Sequence, residues 1–136
     1  MKRAAFLQAL VGALELSNVK IIHKRAEDAG QDAVYRQKYD WVVARGVAAM
    51  PVLLEYCIPL VKEGGYFAAY KGPAGIKDAR DGAKAATLLG GQLVDTIKAS
   101  LPENQGERYI LIYQKVAPTP ARYPRRPGVP AKQPLV

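Results

Sequence analysis

Apolar and polar positions along the chain change period several times, and each change marks an element. Over Met1–Leu16 the apolar residues Phe6, Leu7, Leu10, Val11 and Leu14 recur at helical spacing, with Lys2, Gln8 and Glu15 elsewhere. A short apolar run, Val19–His23, predicts a first strand, and a short helix near Asp32–Lys38 carries Val34 and Tyr35. Asp40–Ala44 predicts a second strand that ends at Arg45 and Gly46. A largely apolar helix follows near Ala49–Lys62, with Pro51 in its first turn and Pro59 bending its last. Gly64 and Gly65 should stop that helix before a third strand, Tyr66–Tyr70.

Next comes a helix from about Gly75 to Leu89, with Ile76, Ala79, Ala83, Ala86 and Leu89 on one side, ended by Gly90 and Gly91. Two strands then succeed one another with no helix between them. Gln92–Ala99 is the weaker, and Arg108–Lys115, with Tyr109–Tyr113 in one apolar run, has the pattern of a buried central strand. The short connection Leu101–Gly106 suits an antiparallel pair. The chain is therefore an α/β protein whose mostly parallel sheet ends in an antiparallel hairpin. That plan matches the closing half of a class I (Rossmann-like) methyltransferase sheet, in which the last strand inserts beside the fifth.

Composition bounds the function. The 136 residues are 49% hydrophobic and 24% charged, which suits one soluble domain with a core. No run approaches the ~18 apolar residues of a membrane span, and the start has no signal-like cleavage site, so a cytoplasmic protein is expected. The single cysteine, Cys57, lies in an apolar run and reads as a core residue; the single histidine, His23, falls inside the first predicted strand. Neither has the partners a catalytic thiol or a metal site needs, so no metal is expected.

Charge is unevenly spread. Of the net +8, four charges come from Arg122, Arg125, Arg126 and Lys132 in a final segment with no acidic residue, while the other 16 basic residues meet 12 acidic ones. That segment, 117–136, also holds six of the ten prolines and should run extended over the surface as a basic tail on a body formed by 1–116. Such a strip suits a polyanion, since Lys and Arg beside phosphates release counterions. A solvated, flexible tail has the same composition.

Several stretches, in order, resemble one family. They are Lys2–Leu7; Leu14–Val19; Arg25, Ala26 and Glu27; Tyr39–Arg45; Leu54–Lys62; Lys71 and Gly72; and the ending Tyr123–Leu135. Together they are similar to the bacterial small-subunit (16S) ribosomal RNA guanine-N7 methyltransferases, also called methyltransferase G or glucose-inhibited division protein B. The resemblance implies S-adenosylmethionine as cofactor, 16S rRNA or the small ribosomal subunit as partner, and a monomer in the complete family. It further implies an N-terminally truncated chain: the family's Gly-rich turn and ribose-binding acid, together with sheet strands 1 and 2, precede the segment matched by Lys2. Val19–His23 should then be unpaired or joined to Val42 and Val43, and the open apolar edge could drive self-association.

By the same resemblance, Ala26 and Glu27 stand at the adenine ring and Arg45 beside the cofactor. Read alone, Ala26 and Glu27 form a helix start, with the acid favoured by the helix dipole. Arg45 could hold the methionine carboxylate or an RNA phosphate. Gly46 stands where the family usually has Ala. Guanine N7 carries a free lone pair, so no catalytic base is needed and none is assigned. Arg122, Tyr123, Arg125 and Arg126 are the expected RNA contacts, whereas Trp41, in an apolar strand, is expected in the core. The truncated chain is expected to be inactive alone; the alternative is a non-catalytic basic remnant that binds RNA. A different Rossmann-like enzyme is disfavoured, because no phosphate loop is present.

Overall fold

The computed structural model describes residues 2–45, 48–100, 102 and 106–136. Its elements in chain order are α1 (Lys2–Ala13), α2 (Ala26–Gln31), β1 (Tyr39–Arg45), α3 (Met50–Cys57), a 3-10 turn (Ile58–Leu60), β2 (Val61–Lys71), α4 (Gly75–Asp81), α5 (Ala83–Leu89), β3 (Gly91–Ser100), β4 (Glu107–Lys115) and α6 (Val129–Lys132). The four strands form one sheet in the order β1-β2-β4-β3. β1 runs parallel to β2, and β4 is antiparallel to both β2 and β3. The last strand thus inserts between its two predecessors, as the alternation of elements predicted.

Side-chain alternation along the strands defines two faces. On one, Val42 and Ala44 of β1, Phe67 and Ala69 of β2, and Leu111 and Tyr113 of β4 stand in register and pack against Met50, Leu53 and Leu54 of α3 and Ala85, Ala86 and Leu89 of α5. Cys57 is buried in this cluster, as its apolar surroundings predicted. Two glycines are dictated by contacts. A Cβ on Gly75 would lie 2.5–2.7 Å from the Tyr109 side chain, and Gly90 ends α5 at φ 91°, turned so that its carbonyl accepts the N–H groups of Val116 and Ala117.

The other face carries Trp41, Val43 and Arg45 of β1, Tyr66, Ala68 and Tyr70 of β2, and Ile110 and Ile112 of β4, and no described helix covers it as α3 and α5 cover the first. Its exposed members explain two corrections. Val19–His23 forms no strand: the segment is coil, the unpaired one of the two outcomes expected, because strand geometry needs a neighbour to satisfy its backbone groups. Trp41 is accordingly not in the core. It is 54% exposed at the open edge and stacks on Tyr66 with ring centroids 4.8 Å apart.

The short helix expected near Asp32–Lys38 forms earlier, as α2, and 32–37 is a bend followed by turns; three boundaries also differ from the pattern-based reading. The helix expected to reach Lys62 ends at Cys57, because Pro59 has no N–H to continue it. Gly64 and Gly65 lie inside β2 rather than before it, within an irregularity where the β1 register jumps from Tyr39↔Val61 to Trp41↔Tyr66. The helix expected over Gly75–Leu89 is two, separated at Gly82, which fits closely beneath Leu54 and Met50. α1 forms as predicted, but its apolar face is open, with Phe6 67% exposed. Gly46 and most of the Leu101–Gly106 connection lie outside the described residues.

Candidate functional site

The carboxyl ends of the parallel strands β1 and β2 lie side by side, where open α/β sheets usually present their ligand groups. Arg45, the last residue of β1, is exposed and pairs in register with Tyr70 of β2. Arg108, near the start of the antiparallel β4, reaches the same end of the sheet. These residues line a cavity of about 900 Å³ together with Val43, Lys71, Tyr109 and Ile110. Lys71 is nearly buried and donates to the Ala48 carbonyl at 2.8 Å, which ties the strand end to the start of α3. Among the described residues no carboxylate pairs with Arg45 or Arg108, and none lines the cavity.

Ala26 and Glu27 are at the start of α2, as expected, but not beside Arg45. Ala26 lines a separate cavity of about 360 Å³ with Ile22, Tyr35, Tyr39 and Trp41, against the first half of β1. Glu27 is buried and its carboxylate accepts the Gly128 N–H at 3.0 Å, with Arg25 3.6 Å away. Because Val19–His23 joins no sheet, α2 does not begin at a strand's carboxyl end, and the two halves of the expected cofactor site stay apart. Ala26 and Arg45 thus line different cavities, each open to one part of a ligand.

The tail does more than run extended over the surface. Arg36 donates to the carbonyls of Gly30, Thr119, Pro120 and Tyr123 at 2.6–3.1 Å. Thr119 donates to the Leu89 carbonyl at 2.7 Å, and the Tyr123 ring enters the hydrophobic core. Arg125 forms a bidentate pair with Glu55, which is 0% exposed and also accepts the Arg125 backbone N–H at 2.8 Å. Of the four expected RNA contacts, Tyr123 and Arg125 thus face inward, whereas Arg122 and Arg126 are on the surface. The acidic partner of Arg125 lies 70 residues earlier, too far away for a local pattern to announce it.

Other titratable groups are structural. Burial pushes the Cys57 thiol up to about 12, which leaves it protonated and inert as a nucleophile at neutral pH. Lys115 is buried with its ammonium donating to the Ile58 and Val61 carbonyls at 3.0 and 2.8 Å; burial pushes it down to about 8. Among the described residues no group of His, Cys, Asp and Glu could hold a metal ion, and His23 lies exposed in coil.

A family model described as rRNA small subunit methyltransferase G (GidB) matches residues 1–106. The chain belongs to that family. Curated members called ribosomal RNA small subunit methyltransferase G are 48% identical in Lactobacillus acidophilus and 46% in Alkaliphilus oremlandii, each over 134 residues and 98% of this chain. The match takes in 56% of either relative, so the chain spans about half the length of the curated members it matches. In fold, it is similar to the crystal structure of M. jannaschii TYW2 in complex with AdoMet. There the TM-score is 0.57 at 16% identity, covering 81% of this chain and 51% of that one. The sheet order observed here is accordingly that of a class I methyltransferase.

Proposed function

We propose that this chain carries part of an enzyme that transfers a methyl group from S-adenosylmethionine to N7 of a guanine in 16S rRNA, in the cytoplasm. The observation that carries the proposal is the inserted last strand, with β1 and β2 presenting Arg45 and Tyr70 at their carboxyl ends, in a chain of this family. The cofactor, when bound, supplies an electrophilic sulfonium methyl. In this chain the backbone at Ala26–Glu27 would meet the adenine, since the Glu27 carboxylate is already held by Gly128. Arg45 would hold an anionic group beside the reacting centre. Guanine N7 needs no deprotonation, so alignment takes the place of a general base. Arg122 and Arg126 would contact the RNA backbone, with Tyr123 and Arg125 holding the tail that bears them.

One observation favours a second reading. Ala26 and Arg45 line different cavities, which fits a basic module that binds RNA without cofactor. The two readings separate in a reconstitution. The chain alone should show no heat of binding on titration with S-adenosylmethionine. Mixed with the unmatched remainder of the Lactobacillus acidophilus relative, it should transfer labelled methyl groups to small-subunit rRNA. RNA binding without transfer in that mixture would establish the remnant reading, and heat of binding by the chain alone would refute the division of the site.

A further inference from the structure

We infer that the cavity between the α4–α5 pair and the β3–β4 hairpin is a binding site for an uncharged, planar nitrogen heterocycle, its ring lying against small residues of the helices and its nitrogen accepting a hydrogen bond from the Tyr113 hydroxyl. The cavity, about 520 Å³, is lined by Ala79 of α4, by Ala83, Ala86 and Thr87 of α5, by Gln92 of β3 and by Tyr113 of β4, with neighbouring residues of the same elements. It shares no residue with the cavities lined by Ala26 and by Arg45, and the proposed methyl transfer uses none of its side chains. It lies on the helix-covered face at the β3 edge, the far side of the sheet from β1.

Tyr113 supplies the polar end of the site. It is 1% exposed, and its ring stacks on that of Phe67, its register partner in β2, with centroids 6.1 Å apart. Packing uses the ring alone, and a phenylalanine would serve it as well. The hydroxyl is the one buried side-chain polar atom without a hydrogen-bond partner among the described residues. Buried polar groups are ordinarily paired, because an unpaired one keeps the full cost of its desolvation. Burial, and after it the Asp78 carboxylate, push this hydroxyl up to about 12, so at neutral pH it remains a donor. No charged side chain lines the cavity, and the Thr87 hydroxyl already donates to the Ala83 carbonyl at 3.2 Å. An ionic ligand would be stranded there, whereas a neutral ring with one acceptor meets the one free donor. Ala79, Ala83 and Ala86 each present only a methyl group, which leaves a flat wall, and the volume is ample for two fused rings.

The probes are quinoline and naphthalene, its isostere without the nitrogen, each titrated into the isotope-labelled full chain and followed by amide NMR shifts. Both should shift amides along the lining between 79 and 93. Tyr113→Phe should weaken quinoline about tenfold, the cost of burying an acceptor without its donor, and leave naphthalene within about twofold. Because the Tyr113 hydroxyl donates to nothing among the described residues, this variant should keep the urea midpoint of the parent, which checks that it folds. Ala83→Leu, at an exposed helix position, should block both probes by filling the cavity. Unchanged quinoline affinity in Tyr113→Phe, or an equal loss of both probes, would overturn the hydrogen bond that defines the site. A parent chain that binds neither probe would overturn the site itself, with water alone as the partner of Tyr113. None of these outcomes bears on methyl transfer, which the reconstitution decides separately.

Discussion

Removing the Arg125 side chain should unfold this protein far more readily than removing its neighbour Arg126. Glu55 is 0% exposed, and its two oxygens accept the Arg125 N–H, Nε and Nη2 at 2.8–3.0 Å. Arg125→Ala leaves the backbone N–H in place but takes away the only cation on that carboxylate among the described residues. Stranding a buried charge in this way costs about 3–5 kcal/mol. The Arg125 side chain is 24% exposed, so water can partly substitute for it, and the loss should fall near 3 kcal/mol, toward the low end of that range. With a urea m-value of about 2 kcal/mol/M, the midpoint should drop by about 1.5 M, read by far-ultraviolet circular dichroism. Arg126→Ala should stay within about 0.5 kcal/mol of the parent. Adding Glu55→Gln to Arg125→Ala should recover part of the loss, since the buried group is then neutral. A loss below about 1 kcal/mol for Arg125→Ala, or no recovery in the double variant, would refute the argument.

Four other outcomes are expected. Stability should rise with pH from about 8, because there the unfolded chain holds a proton on Lys115, ordinarily lost near 10.5, that the folded chain has released; that rise should vanish in Lys115→Met. Above pH 9 the opposite sign enters, since Cys57 and Tyr113 keep protons to about 12 when folded but give them up near 9 and 10 when unfolded, and Cys57→Ala should delay the fall to about pH 10 in urea midpoints. Val43→Lys, at a position 65% exposed on β1, should reduce any concentration-dependent association seen by sedimentation, and unchanged association would exonerate this edge. Arg122→Ala with Arg126→Ala should lower the salt slope of RNA binding while leaving the urea midpoint in place, because both side chains are on the surface.

Which elements could be read from the chain follows from how local their causes are. β4 was legible because Tyr109–Tyr113 is apolar on both faces, the mark of a strand with neighbours on either side, and the absence of a helix before it forced the antiparallel pairing. Arg45 was legible because a strand end is visible in sequence. Val19–His23 looks the same locally as β1, yet only β1 has a partner, so only β1 is a strand. Trp41 is exposed rather than in the core for the same reason: apolar alternation reports a face, not what covers it. The tail was read from its prolines and charge, but the docking of Arg125 on Glu55 and of Gly128 on Glu27 joins positions 70 and 101 residues apart, which no periodicity encodes. Tyr70 and Arg108 become candidates only when register brings their strands to one end.

The clamp on the tail also orders events during synthesis. Glu55 is made 70 residues before the arginine that neutralises it, an interval of about 4–14 s at the usual 5–20 residues per second of translation. Throughout that time its carboxylate must stay hydrated, so α3, which carries it into the core, cannot settle at its final depth. The helix–sheet packing is completed only when the segment around Arg125 arrives, and this makes the strap a timer that holds back closure of the core until the residues that clamp Glu55 have been made.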